Sequence, residues 1–451
     1  MGYKIITADE IRDPEDLATI DALRLALKRC AQKLREGGAD RYVLNASRSV
    51  INEFNVDGGE FSLFRTLFSD GLSVTAYVGS KRGVISGNKL DDESIDGVAE
   101  SVLAAANAAE PDDAWKVAPK EENRIFLKGV PYCDTDGLFA KFREFIETVQ
   151  KDYPLILMEQ SITSHNHVCN VYVNSSGTEF VTVSGQYSLS AMFSGHDGDK
   201  TSSFVGEGFI TDDLSKPFIS RSRLAQMLDE TQRQIHTESF DGKFTGTLVA
   251  PPGLLQTLLD SAIGNFASDG PILNGTSIWK DKLGEQVADP RLTISFIPST
   301  ELLPGGDPYT HEGYLASDYA FIEKGVLKYF DISDYIANKT GFERAPNSGS
   351  NLVIEPGDTP LSDIIASVDR GIYVGRFSGG EPSVNGDFSG VAKNSFLIEN
   401  GKLTKPLRET MISGNLAVLL LNIGQISKET VNDGFTVLPY VSFPGVTISG
   451  K

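Results

Sequence analysis

The stretch that most constrains the fold is Phe244 to Asn265, F-T-G-T-L-V-A-P-P-G-L-L-Q-T-L-L-D-S-A-I-G-N. It reads as a β-strand, a corner at Pro251, Pro252 and Gly253, and an apolar helix. Proline interrupts a strand ladder but is tolerated in the first helical turn, so the chain must turn there. Leu254, Leu255, Leu258 and Ile263 give the helix a packing face. Its polar members are Asp260, Ser261 and Asn265. A five-residue step on a regular helix turns ~500°. Asp260 and Asn265 therefore point ~140° apart unless the helix distorts, and Gly264 is where distortion is easiest. One carboxylate and one neutral amide are a poor zinc set, and Ser261 cannot abstract a proton unaided. The segment is read as a half-buried packing element.

A chain of 451 residues is expected to form two or three domains. The formal net charge is −20, from 61 acidic and 41 basic residues. Such a surface repels phosphate backbones and anionic membranes, so neither nucleic acid nor membrane is an expected partner. Cys30, Cys133 and Cys169 are too few and scattered for a disulfide framework or zinc ribbon. The first residues lack an apolar signal core, and the apolar run at 416–421 is too short to span a bilayer. The expectation is a soluble, cytoplasmic protein.

Three α+β parts are expected: an N-terminal α+β domain over 1–115, a middle α+β unit over 116–240 and a β-rich C-terminal domain over 241–451. In the first, Leu23, Leu27, Ala31 and Leu34 make a helix face over 21–35, followed by strands and a helix over 92–109. Residues 110–122, polar and with two prolines, read as a linker. The middle unit opens with a helix from Asp136, continues through strands at 156–162, 165–173 and 178–190, and ends with a helix at 221–237. A hairpin turn is expected at Asn174-Ser-Ser-Gly177. In the third part, Ile322-Glu-Lys-Gly-Val-Leu and Ile398-Glu-Asn-Gly-Lys-Leu read as two similar tight hairpins. A helix after Pro360 is expected to use Thr359 as its N-cap, with Asp363 in its first turn.

His165-Asn-His-Val-Cys169 puts two imidazoles and a thiol on one face of a strand. Steps of about 7 Å are too wide for all three to share one tetrahedral metal without help from another element. His311-Glu312 lacks a second histidine at helical spacing, and Pro304-Gly-Gly-Asp-Pro308 places it in a loop. His196 sits in a turn and His236 at a helix end, so no hydrolytic triad assembles from the histidines. The segments at Gly206-Glu-Gly208 and Gly379-Gly380 lack the setting of a phosphate cradle. Asn385-Gly-Asp-Phe-Ser-Gly390 is the most specific loop. Asn385, Asp387 and Ser389 are candidate peptide contacts there, with a structural corner as the alternative.

Several segments together resemble the TldD/PmbA family. They include Ile322-Glu-Lys-Gly-Val-Leu-Lys, Asn351-Leu-Val-Ile-Glu-Pro-Gly-Asp-Thr-Pro-Leu, Arg370-Gly-Ile-Tyr-Val, Gly386-Asp-Phe-Ser-Gly, Phe396-Leu-Ile-Glu-Asn-Gly and Ile412-Ser-Gly-Asn. Looser likeness runs through Glu53-Phe, Gly71-Leu-Ser-Val, Arg82-Gly and Val173-Asn-Ser-Ser-Gly. The resemblance implies a three-part α+β protein that dimerises around a large cavity. It also implies that active members are zinc proteases acting on unfolded or peptide substrates. Their helix carries His-Glu-Ala-Val-Gly-His where this chain has Asp260-Ser-Ala-Ile-Gly-Asn265. Their further cysteine ligand lies in the C-terminal part, and this chain has no cysteine after Cys169. The likeness is thus to the metal-free PmbA (TldE) type, the "modulator of DNA gyrase" kind, paired with a zinc-bearing TldD-like subunit. No catalytic residue and no cofactor are then expected on this chain. Two other readings stand beside it: an autonomous metallopeptidase using His165 and His167, and a homodimeric peptide-binding protein.

Overall fold

The computed structural model describes residues 2–408 and 410–450. The first sheet is built from β1 (Tyr3–Ile6), β2 (Arg41–Asp57), β3 (Glu60–Val78), β4 (Lys81–Gly87), β5 (Arg124–Gly129), β6 (Ile156–Asn174), β7 (Glu179–Asp197), β8 (Lys200–Thr201) and β9 (Val205–Thr211). Its central order is β1-β5-β7-β6-β2-β3-β4. With it go α1 (Pro14–Glu36), α2 (Asp92–Ala108), α3 (Thr135–Asp152) and α4 (Leu224–Arg233).

β2 pairs with β6 from Val43↔Asn174 to Asp57↔Gln160. The expected division near residue 115 therefore does not separate two sheets: strands from 1–115 and 116–240 interleave in one ladder. Residues 110–122 still connect α2 to β5, but they pack on the C-terminal domain. Trp115 stacks on Tyr335 at 3.7 Å, and Asp112 binds Lys339 at 2.7 Å. The strands expected at 156–162 and 165–173 are one. Pairing with long neighbours carries the backbone through the polar residues that seemed to break them.

Alternation decides the two faces of this sheet. Leu44, Ala46, Cys169, Val171, Val181 and Val183 point toward α1 and α2. Further along the same strands, Phe54, Val56, Tyr187, Leu189 and Phe193 meet α3 and α4. The opposite face carries Tyr172 and Phe180, which pack with Phe126 against Tyr309 and Leu315 of the C-terminal domain. The molecule is thus layered: helices, long sheet, C-terminal domain.

The C-terminal domain contains β10 (Lys243–Ala250), α5 (Pro252–Phe266), α6 (Asp269–Asn274), β11 (Ile294–Phe296), β12 (Tyr319–Glu323), β13 (Val326–Leu327), α7 (Asp334–Thr340), β14 (Leu352–Ile354) and α8 (Leu361–Ala366). It ends with β15 (Arg370–Ser378), β16 (Asp387–Glu399), β17 (Lys402–Leu407), β18 (Thr410–Asn415), α9 (Leu416–Leu421), β19 (Ile426–Asn432) and β20 (Thr436–Ser449). β10 pairs with both β15 and β20, and β15, β16, β18 and β20 pair in series, closing a ring from which the other strands branch. The two expected hairpins both belong to this sheet. Lys324 and Gly325, like Asn400 and Gly401, have positive φ at both turn positions, as a tight primed turn requires.

Two expected helix starts move. α1 begins at Pro14, seven residues before Asp21, because Asp13 caps it through Glu15 N at 2.9 Å and Pro14 occupies its first turn. α8 is capped at Pro360 rather than Thr359; the Thr359 carbonyl instead accepts from Lys428 N, tying that residue to the β19 segment. The helix expected over 221–237 is shorter, because Ser222 takes a positive φ and Gln234 closes the last turn.

The layers are fastened by buried polar groups. Arg223 at the start of α4 donates to Glu230 at 3.2 Å and to the Tyr373 hydroxyl at 2.7 Å. Tyr373 donates to Glu230, and Tyr440 donates to Gln226. Tyr373 and Tyr440 belong to β15 and β20, so this network clasps the helical layer to the C-terminal ring.

Candidate functional site

A cleft of about 780 Å³ lies between the open face of the first sheet and the C-terminal domain. Asn45, Thr75, Asn170 and Thr182 line it from the sheet, and Tyr309, His311 and Asp334 line it from the other side. Arg82 lies 4.2 Å over the Trp115 ring at one wall. Asn170 donates to the Tyr309 hydroxyl at 2.9 Å, and Tyr172 donates to the Glu312 carbonyl at 2.7 Å. These bonds fix the 309–315 turn over the sheet. Hydroxyls and amides share the walls with aromatic rings and with charged groups such as Arg82, Lys128 and Asp334, and the former suit main-chain groups of an extended ligand.

A second groove of about 590 Å³ runs beside α5 and shares Asp307 and Ser348 with the cleft. Gln256, Asp260, Ile263 and Gly264 form its α5 wall, facing Asp331. Burial, with Asp269 nearby, pushes the Asp331 carboxyl up to about 6. Asp260 remains exposed, yet partial burial of its carboxyl raises its pKa too. Ser261 bonds back to the Thr257 carbonyl at 2.9 Å within the helix. Asn265 points elsewhere and donates to the Pro382 carbonyl at 2.8 Å. Asp260 and Asn265 therefore do not converge. As a zinc site α5 does not fit: it offers one carboxylate, one hydroxyl bonded to the helix backbone and one amide engaged by a loop.

The bond from Asn265 leads to the loop that holds the other candidates. Asn385 accepts from Ser383 Oγ and Asp387 N, and donates to Asp387 Oδ2. Asn415 Nδ2 donates to Asp387 Oδ1 and to the Asn385 carbonyl. Phe388 is buried against Phe377. Asn385 and Asp387 thus shape a corner, with their polar atoms largely engaged inside it. Ser389 is exposed on β16 beside Ser413 of β18.

The histidines fall in separate places. His311 is exposed at the cleft mouth. His196 bonds Ser194, and His236 meets Asp197. His165 is buried, its Nε2 on the Val130 carbonyl at 2.7 Å, and burial lowers its pKa. His167 and Cys169 share the helix-side face of β6. There they meet Asp16 from the first turn of α1, a residue sequence reading passed over. His167 Nε2 lies 2.8 Å from Asp16 Oδ1, and Cys169 Sγ lies 3.4 Å from the same oxygen. Among the described residues this is the one place where three such donors converge. Burial opposes the imidazolium at His167, but Asp16 outweighs it and raises the pKa. Burial and Asp16 push the Cys169 thiol up, out of nucleophilic range at neutral pH. The Asp13-Pro14 cap was the signal that would have brought Asp16 into view.

Residues 243–450 match the model of the PmbA/TldA metallopeptidase C-terminal domain. The chain carries a PmbA/TldD family domain. It is 26% identical to the metalloprotease PmbA homolog of Haemophilus influenzae over 366 residues, 78% of this chain and 79% of that protein. Similarity to a metalloprotease of Methanothermobacter thermautotrophicus is 29% over 194 residues, 40% of this chain and 42% of the archaeal protein. The chain thus spans under half of that relative's length. TldE from Thermococcus kodakarensis has the same fold, with a TM-score of 0.78 at 20% identity over 94% of this chain and all of that one. The family match is to the C-terminal domain, and the whole chain shares the mixed α/β, sheet-rich architecture of TldE. No described helix is long and apolar enough to cross a membrane.

Proposed function

We propose that this chain is a non-catalytic, PmbA/TldE-type subunit that pairs with a zinc-bearing TldD-like partner and helps hold an unfolded peptide in the cytoplasm. The observation that carries the reading is the donor set of α5: Asp260, Ser261 and Asn265 stand where the resemblance places two histidines and a glutamate, and their side chains diverge. A peptide would lie in the cleft between sheet and C-terminal domain, where hydroxyls and amides pair with its main chain with little sequence preference.

A partner is offered a surface by the β2–β3 arm. Every residue from Glu60 to Ser69 is exposed, and β4 pairs only with residues 72–78, leaving the outer edge of the arm open. Phe61, Leu63, Phe64, Leu67 and Phe68 are exposed there, Phe68 by 74%. An unpaired, apolar strand edge is a liability unless covered.

Size-exclusion chromatography with light scattering, on this chain mixed with a TldD-type protein, tests the proposal. The expected result is a heterodimer that Phe68→Asp weakens. Separate elution of the two folded proteins at micromolar concentration would overturn it.

A further inference from the structure

We propose that Asp16, His167 and Cys169 bind one zinc-class divalent cation, clamping the start of α1 to the first sheet at a site separate from α5 and independent of the subunit reading.

The donors come from two elements whose geometry is set by the fold. β6 sends His167 and Cys169 to the same face, and α1 lays Asp16 across them. The three atoms form a triangle: Nε2 to Oδ1 is 2.8 Å, Oδ1 to Sγ is 3.4 Å and Sγ to Nε2 is 3.7 Å. Tetrahedral zinc with ordinary N, O and S bond lengths needs edges of about 3.3–3.6 Å. Opening only the imidazole–carboxylate contact by about 0.5 Å gives one face of such a tetrahedron. His165, one step along the strand, does not join the group.

The hydrogen-bond roles also suit a cation. His167 Nδ1 faces the Ser184 carbonyl at 3.0 Å, so it carries the ring proton. With Nε2 protonated the ring donates to Asp16 Oδ1; in the neutral ring Nε2 is a lone pair facing a carboxylate, an arrangement that a cation in the proton's place satisfies. A ring proton held by a backbone carbonyl is the support commonly found behind metal-bound histidine. Asp16 is 5% exposed, and its second oxygen, Oδ2, is buried without a hydrogen-bond partner among the described residues. A carboxylate and a thiolate together offset a doubly charged ion in this apolar layer. The His167 side chain is 18% exposed, which leaves the fourth position for water on that side.

The test uses the full chain without a histidine tag, loaded with cobalt(II) and desalted. Expected is one equivalent of cobalt with a thiolate-to-cobalt charge-transfer band. Cys169→Ser abolishes the band, and His167→Ala loses the retained cobalt on desalting. Cys133→Ser and Asp260→Ala keep both band and stoichiometry. Folding of each variant is checked by circular dichroism, and Asp16→Asn serves if Cys169→Ser does not fold. No retained metal in the folded wild-type chain overturns the site, as does a band that survives in folded Cys169→Ser.

Discussion

Helix α5 and the α1–β6 junction both set a carboxylate against an apolar layer, but they differ in how many elements supply the donors. On α5 everything comes from one helix, and a five-residue step sends Asp260 and Asn265 apart. At the junction a helix crosses a strand, and residues 16, 167 and 169 meet within 4.8 Å. Convergence of polar atoms is a property of packing between elements, and a motif's place along the chain does not supply it. The Arg223–Glu230–Tyr373 clasp teaches the same lesson: its groups meet across two layers, and there each is engaged.

That comparison can be broken or sharpened by substitution. The largest effect is expected at the clasp. Arg223→Ala leaves Glu230 buried and uncompensated, and should lower unfolding free energy in urea by about 3–5 kcal/mol; a loss below about 1 kcal/mol would mean the layers are held elsewhere. On α5 the apolar face should matter more than the polar one. Leu258 is 3% exposed, so Leu258→Ala should cost about 2–5 kcal/mol in the same assay.

The acid facing α5 gives a pH signature. Asp331 is held protonated to about 6 by burial and by Asp269, above its ordinary value of 3.8. A raised acid pKa favours the protonated native state, so stability should fall as pH rises from about 4 to about 6 and then level off. The total is about 3 kcal/mol, and Asp331→Asn should flatten that slope in thermal melts between those pH values.

Smaller effects belong to the former motif positions. Asn265→Ala removes the bond to Pro382 and should cost about 1 kcal/mol. Asp260→Ala, at an exposed position without a partner among the described residues, should stay within about 0.5 kcal/mol. A cost near that of Leu258→Ala would mean that Asp260 is a structural anchor.

Much of this was legible in the residues. The Pro251-Pro252-Gly253 corner, the apolar face of α5 and the two Gly-containing hairpins follow from local rules, since proline and positive-φ glycine act on their own neighbours. Sheet membership was not legible. Interleaving of β2 with β6 joins residues more than a hundred apart, and no local pattern marks it. The linker at 110–122 looked like a boundary because prolines and charges suit solvent, yet Trp115 and Asp112 anchor it to α7. At the site, the divergence of Asp260 from Asn265 could be computed from helix geometry alone. Asp16 was hidden because placing the helix start at Asp21 left it in an unassigned segment.

The most direct test of the subunit reading is cleavage of an unstructured peptide in the presence of zinc, by this chain alone, by a TldD-type protein alone, and by the two together. The account predicts no turnover by this chain alone and more turnover by the mixture than by the partner. Cleavage by this chain alone, lost on Asp260→Ala, would contradict it.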